Sequence, residues 1–251
     1  MAHKDRSHAE LSASGSSIWL NCTMSPVLSR GVERRSSKYA DEGTAAHEVA
    51  EELLRQRGLG KPRAYSVDEE FETRVKTYVD YVEDLCKRAP LYQIEQRVSL
   101  AKLWDGDPPS DMFGTADCVA ITPDKTLHVV DLKYGRGVPV EVRDNSQLLY
   151  YALGAWLMLK NEVQIEKVRM TIVQPRAAHP DGPVRHWDLP LVDVIHWGHD
   201  VLKPTVDLIC EEDVSKLTLV EGKHCRWCPA ALSGCPEKQK TKTNEAKTEF
   251  S

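Results

Sequence analysis

A chain of 251 residues, 41% hydrophobic and 28% charged, can bury one real core with at most a small appendage, and its net charge of −5 excludes a protein that coats nucleic acid through a global basic field. Any nucleic-acid site must therefore be a local basic patch. No apolar run approaches the ~20 residues that span a bilayer. The polar start Met1-Ala2-His3-Lys4-Asp5-Arg6 lacks the apolar centre of a secretion signal, so a cytoplasmic protein without a membrane partner is expected.

In chain order, residues 1–15 are polar and read as a disordered N-terminus. A short helix follows from Ser14 or Ser16 to Cys22, carrying Ile18, Trp19 and Leu20. Thr44 can cap a helix running from Ala45 to about Arg57, stopped by Gly58 and Gly60. A second helix spans about Asp68 to Arg88 and ends before Pro90. Strands are predicted over Tyr92–Leu100, Met112–Thr122 and Thr126–Lys133. Asp144 and Gln147 are spaced like a capping box at the start of a helix whose apolar positions Leu148, Leu149, Ala152, Ala155, Trp156 and Leu159 keep a helical period. Strands near Lys167–Gln174 and Val184–Leu189 precede a last helix, about Val192 to Cys210. Residues 237–251 are Lys-, Thr- and Glu-rich and read as a disordered tail. The order implies a single α/β domain over residues 16–236: a sheet flanked by helices, with a Cys-rich C-terminal appendage at 220–236.

The hairpin carries the chemistry. Thr122-Pro123-Asp124-Lys125-Thr126 is a turn between two apolar, β-prone runs. If it centres on Asp124, facing positions sum to 248 and Asp117 lies opposite Asp131. Period-2 alternation then places Phe113, Thr115, Asp117, Val119 and Ile121 on one face, and Leu127, Val129, Asp131 and Lys133 on one face of the partner strand. A lone Asp-x-Lys is ordinarily a solvated pair or a salt bridge. Two carboxylates and an ammonium among Val, Ile and Leu, however, are costly to bury without neutralisation. A divalent cation provides it, and oxygen ligands suit Mg2+ or Mn2+. Tyr134-Gly135-Arg136-Gly137 follows directly; it reads equally as a flexible turn or as a segment that brings Arg136 and backbone near a phosphate.

Taken together, His47, Gly114-x-x-Asp117, Asp131-x-Lys133 and Gln147-x-x-x-Tyr151 resemble the ordered motifs of the PD-(D/E)xK nuclease superfamily, in particular its RecB-like and Cas4-like branch. The string around His47, with Ser12-x-Ser14-x-x-x-x-Trp19-x-x-Cys22 before it, also resembles a phage-associated family of that branch known mainly as a domain of unknown function. The likeness covers roughly residues 10–236. It implies a restriction-endonuclease-like mixed sheet and a DNA exonuclease or end-processing enzyme of phage or mobile-element recombination, acting on DNA beside an annealing protein or helicase inside a bacterial host. On that likeness His47, Asp117, Asp131 and the Leu132 backbone carbonyl bind the metal, and Lys133 orients or helps deprotonate the attacking water. Gln147 and Tyr151 hold the active-site helix against DNA. The family's usual Glu is Asp131 here, a shorter arm that bears on metal preference.

Seven cysteines without a secretion signal point to metal or thiol chemistry. Cys86 and Cys118 fall in a predicted helix and strand and read as core residues. Cys225-x-x-Cys228 and then Cys235 give three thiolates in eleven positions, a spacing that suits zinc or an iron–sulfur cluster and needs a fourth ligand. Cys22, Cys210 and His224 are the candidates, and local loop closure favours the latter two. The resemblance instead implies Cys22 with Cys225, Cys228 and Cys235 around a [4Fe-4S] cluster, with Zn2+ the alternative. A non-catalytic, cluster-bearing DNA-binding or assembly module is the competing functional expectation.

Overall fold

A computed structural model of the chain describes residues 10–32, 38–59, 69–211 and 213–239. Five strands form one mixed sheet in the order β1 (Leu91–Ser99), β2 (Phe113–Ile121), β3 (Thr126–Leu132), β4 (Lys167–Val173) and β5 (Val184–Pro190). Neighbours are antiparallel except β3 and β4. A parallel pair cannot be closed by a hairpin, and here the crossover carries helix α5 (Ser146–Leu159). The β2–β3 ladder runs from Cys118↔Val130 to Ile121↔Leu127, the register expected from a turn centred on Asp124.

Helices cover both faces. On one, α3 (Lys38–Gln56) and α4 (Glu69–Arg88) pack as a pair over Cys118, Ala120, Val130 and Leu132. On the other, α5 lies over Val119, Ile121, Leu127 and Val129, joined by α6 (Leu191–Trp197) and α7 (Lys203–Cys210). A π-helical turn, Gly198–Leu202, links α6 to α7. β3 is buried at every position, as a central strand covered on both faces must be. Gly154 lets α5 approach the sheet: a Cβ there would lie 2.9 Å from Val98 Cβ.

Three features depart from the sequence expectations. Residues 11–13 are buried and not part of a free polar tail: Leu11 and Ala13 are each 1% exposed, and Trp19 Nε1 donates to the Ser12 carbonyl at 3.0 Å. They precede the short helices α1 (Ser16–Trp19) and α2 (Ser25–Ser29). Helix α3 begins at Lys38, so Thr44 is not its cap; its hydroxyl donates back to the Ala40 carbonyl at 3.2 Å. At α5 the cap is Asn145 and not Asp144: Asn145 Oδ1 accepts from the Gln147 and Leu148 N–H groups at 3.1 and 3.2 Å. Residues 236–239 are helical and so not a free tail; residues 1–9 and 240–251 lie outside the described residues.

The alternation expected along β2 also breaks. Val119 and Ile121 face α5, but Gly114 and Ala116, of opposite parity, do so too: a Cβ on Gly114 would meet Tyr151 Cε1 at 2.8 Å. β1 changes face in step, with Tyr92 and Ile94 against α3 and α4 but Val98 in the α5 core. The β1–β2 register is the same on either side of the change. Both strands swap faces at Glu95 and Asp117.

Candidate metal centre

The β2–β3 ladder stops one position short of Asp117 and Asp131, while β3 stays paired with β4 through Leu132↔Val173. In the gap the Asp117 carboxylate replaces the missing ladder partner: its Oδ2 accepts the Leu132 N–H at 2.7 Å. Its Oδ1 lies 3.3 Å from Nδ1 of His47, which α3 brings over the sheet. Across β1, Glu95 sits opposite Asp117 with φ +53°, a left-handed conformation that costs a non-glycine residue ~1–2 kcal/mol. His47, Glu95 and Asp117 each offer one ligand atom, and these lie within 4.8 Å of one another.

Asp131, Lys133, Gln147 and Tyr151 form the other half of the centre. Lys133 Nζ donates to Gln147 Oε1 at 2.7 Å, while Gln147 Nε2 donates to Asp131 Oδ1 at 3.2 Å and meets the Tyr151 hydroxyl at 3.0 Å. Asp131 is 2% exposed. Its Oδ2 is 2.8 Å from Lys133 Nζ, an ion pair that holds the two charges together although its alignment falls short of a hydrogen bond. A buried carboxylate is ordinarily paired in this way, and Lys133 is the cation that Asp131 meets.

Charge at the centre is tightly coupled. Burial alone would lower the His47 pKa, but Asp117, then Glu95 and Asp131, reverse that and hold the imidazole at about 9. Burial works to raise Asp117, yet the His47 charge, its hydrogen bond, the Leu132 N–H and Lys133 win, and the carboxyl lies below its usual value. Asp131 goes the other way: burial and the nearby Asp117 charge outweigh Lys133 and raise it. On this balance His47 is an imidazolium at neutral pH.

His47, Asp117, Asp131, Lys133, Gln147 and Tyr151 therefore lie in one neighbourhood, which the Leu132 backbone enters through its N–H bond to Asp117. Arg136 lies apart on the exposed 135–139 loop. That loop is pinned by the buried Gln174, whose Nε2 donates to the Gly135 and Val138 carbonyls at 3.1 and 3.0 Å. Sequence reasoning missed Glu95. The only carboxylate of β1, it could have been marked, but nothing in the sequence sets the β1–β2 pairing across the irregular connection. Glu51, which shares a helical face with His47, is occupied by an ion pair to Arg55.

The cysteines are arranged differently. Cys225 lies within the 3-10 helix Lys223–Trp227 and Cys228 directly follows it; that helix packs against α1, and helix α8 (Pro229–Ser233) packs against α2. Cys22 Sγ lies 3.7 Å from the Thr218 carbonyl, and Thr23 bonds Thr218 through both hydroxyls and the Thr218 N–H. The two chain ends thus meet. Cys210 instead packs on the α5 core, and His224 Nε2 is 3.0 Å from the Val220 carbonyl. A tetrahedral zinc with Zn–S bonds near 2.3 Å would hold its sulfurs about 4 Å apart; among the described residues only His47, Glu95 and Asp117 gather that closely. A cleft of about 570 Å3 opens elsewhere, between Asp124, His128, Glu166, Arg169 and Asp188, and includes none of these groups.

Compared with known proteins, residues 8–251 match the profile of a family described as "Protein of unknown function (DUF2800)". The chain belongs to the DUF2800 family. Among solved structures, one described as "Crystal structure of SSO0001" is similar to this DUF2800 chain at 13% identity, with 79% of this chain and 98% of that one covered and a TM-score of 0.32. No described helix of the DUF2800 chain is long and apolar enough to cross a membrane.

Proposed function

We propose that this protein is a metal-dependent DNA nuclease of the PD-(D/E)xK type, of exonuclease or end-processing character. One observation carries the reading: where the β2–β3 ladder ends, His47, Glu95 and Asp117 gather within 4.8 Å beside the buried, Lys133-paired Asp131. That set of one imidazole and carboxylate oxygens fits Mg2+ or Mn2+. The Leu132 carbonyl, at the same strand end, is the proposed backbone ligand.

A divalent cation bound there would supply a water of lowered pKa and a Lewis-acidic contact for phosphate. The protein's own groups do the rest. Lys133, held by Asp131 and Gln147, places a positive charge where negative charge develops on the phosphorane. Gln147 fixes both Asp131 and Lys133 from the first turn of α5, and Tyr151 fixes Gln147. Hydrolysis adds a water oxygen to phosphorus and breaks one P–O ester bond, leaving a phosphate monoester and an alcohol. Arg136, apart from the centre on the exposed loop that follows β3, is the proposed contact to the DNA backbone.

The same reading includes a [4Fe-4S] cluster on Cys22, Cys225, Cys228 and Cys235. The packing of α1 on Lys223–Trp227 supports it, since one cluster would then clip the two chain ends. Incubating end-labelled DNA with the anaerobically purified protein and Mg2+ or Mn2+ tests the function. Release of labelled product by wild type but not by Asp117→Asn is expected; no release with either metal overturns the reading.

A further inference from the structure

Trp227 is the most exposed large apolar side chain among the described residues, 68% accessible, and nothing in the nuclease reading uses it. It closes the 3-10 helix Lys223–Trp227, whose sequence is Lys-His-Cys-Arg-Trp. The Arg226 guanidinium carbon lies 5.2 Å from the Trp227 ring centroid. Lys223 and Arg226 are exposed, with His224 half-buried between them. In a chain of net charge −5, three basic side chains and an open indole within five residues form a local basic and aromatic patch. An indole left in water costs apolar exposure that burial would recover, so a ligand with an aromatic face and a negative backbone fits it.

The patch is connected to the metal centre. The Lys223–Trp227 helix packs on α1, and α1 packs on α5. Ser16 of α1 bonds Ser146 of α5 through the two hydroxyls at 2.7 Å. Ser146 immediately precedes Gln147, which holds Asp131 and Lys133. The patch is thus built onto the end of α5 that carries the site.

We propose that Trp227 and Arg226 form a stacking platform for single-stranded DNA, on which an unpaired base rests against the indole while Arg226 and Lys223 meet its phosphates. This rests on the nuclease reading for the identity of the ligand, and it names the strand form that the site receives. Base stacking on an aromatic side chain tolerates any sequence, because every base has a π-face.

The test uses the full-length protein, with its metal cluster if one is present, and a fluorescein-labelled oligothymidylate of about 20 nucleotides, with a blunt hairpin duplex for comparison. Binding is read by anisotropy without divalent metal, so that no cleavage runs. Trp227→Ala is expected to weaken oligothymidylate binding about fivefold or more while leaving duplex binding within twofold, and Trp227→Phe to restore most of it. Trp227→Leu, which keeps the apolar surface but not the π-face, should behave like Trp227→Ala. Equal oligothymidylate affinity in wild type and Trp227→Ala overturns the platform, whatever the cleavage assay gives. A Trp227-dependent change in elution volume on size exclusion, without an effect on DNA, makes the patch a contact between two copies and also overturns it. Trp227-dependent binding in a protein that cleaves nothing with Mg2+ or Mn2+ upholds the platform and removes the nuclease reading.

Discussion

Glu95 and Asp117 face one another across β1 and β2, and at this pair both strands exchange faces without changing register. The exchange is local: Glu95 takes φ +53°, and Asp117 spends its carboxylate on the Leu132 N–H and the His47 imidazole. A strained acid beside a buried acid is held there by surrounding packing, as is common where strain serves a site. Two substitutions separate strain from charge. Glu95→Gly should be more stable than Glu95→Gln by about 1 kcal/mol in urea titration of the metal-free protein, because glycine adopts positive φ freely. Glu95→Gln keeps the strain and removes the charge. Both should require more Mn2+ for half-maximal cleavage; an unchanged Mn2+ requirement in both would remove Glu95 from the centre.

Asp131→Asn and Lys133→Ala should each abolish cleavage at saturating Mg2+. Burial and the Asp117 charge raise the Asp131 carboxyl, so the amide relieves repulsion, and metal-free Asp131→Asn should melt no lower than wild type. Turnover near wild type in either variant would show that these groups do not serve the reaction.

His47 predicts a pH-dependent metal affinity. Its folded value of about 9 lies above the free value of 6.5, so its stabilising contribution to the metal-free protein is complete below pH 6.5 and is lost as pH rises through 9. A cation needs the neutral imidazole and must displace that proton. Affinity for Mn2+ should therefore climb steeply between pH 7 and 9, with about one proton released per ion in calorimetry run in two buffers. In His47→Gln the slope should vanish. A flat wild-type profile over that range would make His47 a partner of Asp117 and no ligand.

His128 predicts an acid limb to stability. Burial, aided by Arg169, lowers its pKa to about 4; Thr122 Oγ1 lies 3.1 Å from Nε2, and Nδ1 has no hydrogen-bond partner among the described residues. The unfolded chain protonates first between pH 6.5 and 4, so stability is complete above 6.5 and falls as pH drops through that window. His128→Gln should reduce the difference between urea midpoints measured at pH 7 and pH 5. Equal differences in the two proteins would contradict this assignment.

The cysteines predict a long-range effect. A cluster joining Cys22 to Cys225, Cys228 and Cys235 closes a loop of about two hundred residues, worth on the order of 5 kcal/mol by crosslink entropy. Cys22→Ser should lose iron and brown colour and open the C-terminal segment to protease, whereas Cys210→Ser should do neither. Iron retained in Cys22→Ser and lost in Cys210→Ser would reverse the assignment. Colourless anaerobic protein carrying one zinc would replace the cluster and leave the nuclease reading standing.

Local rules determined much of this protein. Two turn-flanked β-prone runs around Asp124 specify the β2–β3 register, because a one-residue slip would move every side chain of the strand into the core on the other face. The spacing of Gln147 and Tyr151 places both on one face of α5, because a helix repeats every 3.6 residues. Tertiary structure decided what those rules do not reach. Glu95 joins the centre only because β1 pairs with β2 across an irregular connection, and no periodicity encodes that partner. Leu11 and Ala13 look like part of a polar tail until α5 and the sheet offer them a surface. Local periodicity reports which face a side chain takes while a strand stays regular; at Glu95 and Asp117 long-range packing bends the chain out of that regularity, and the centre forms there.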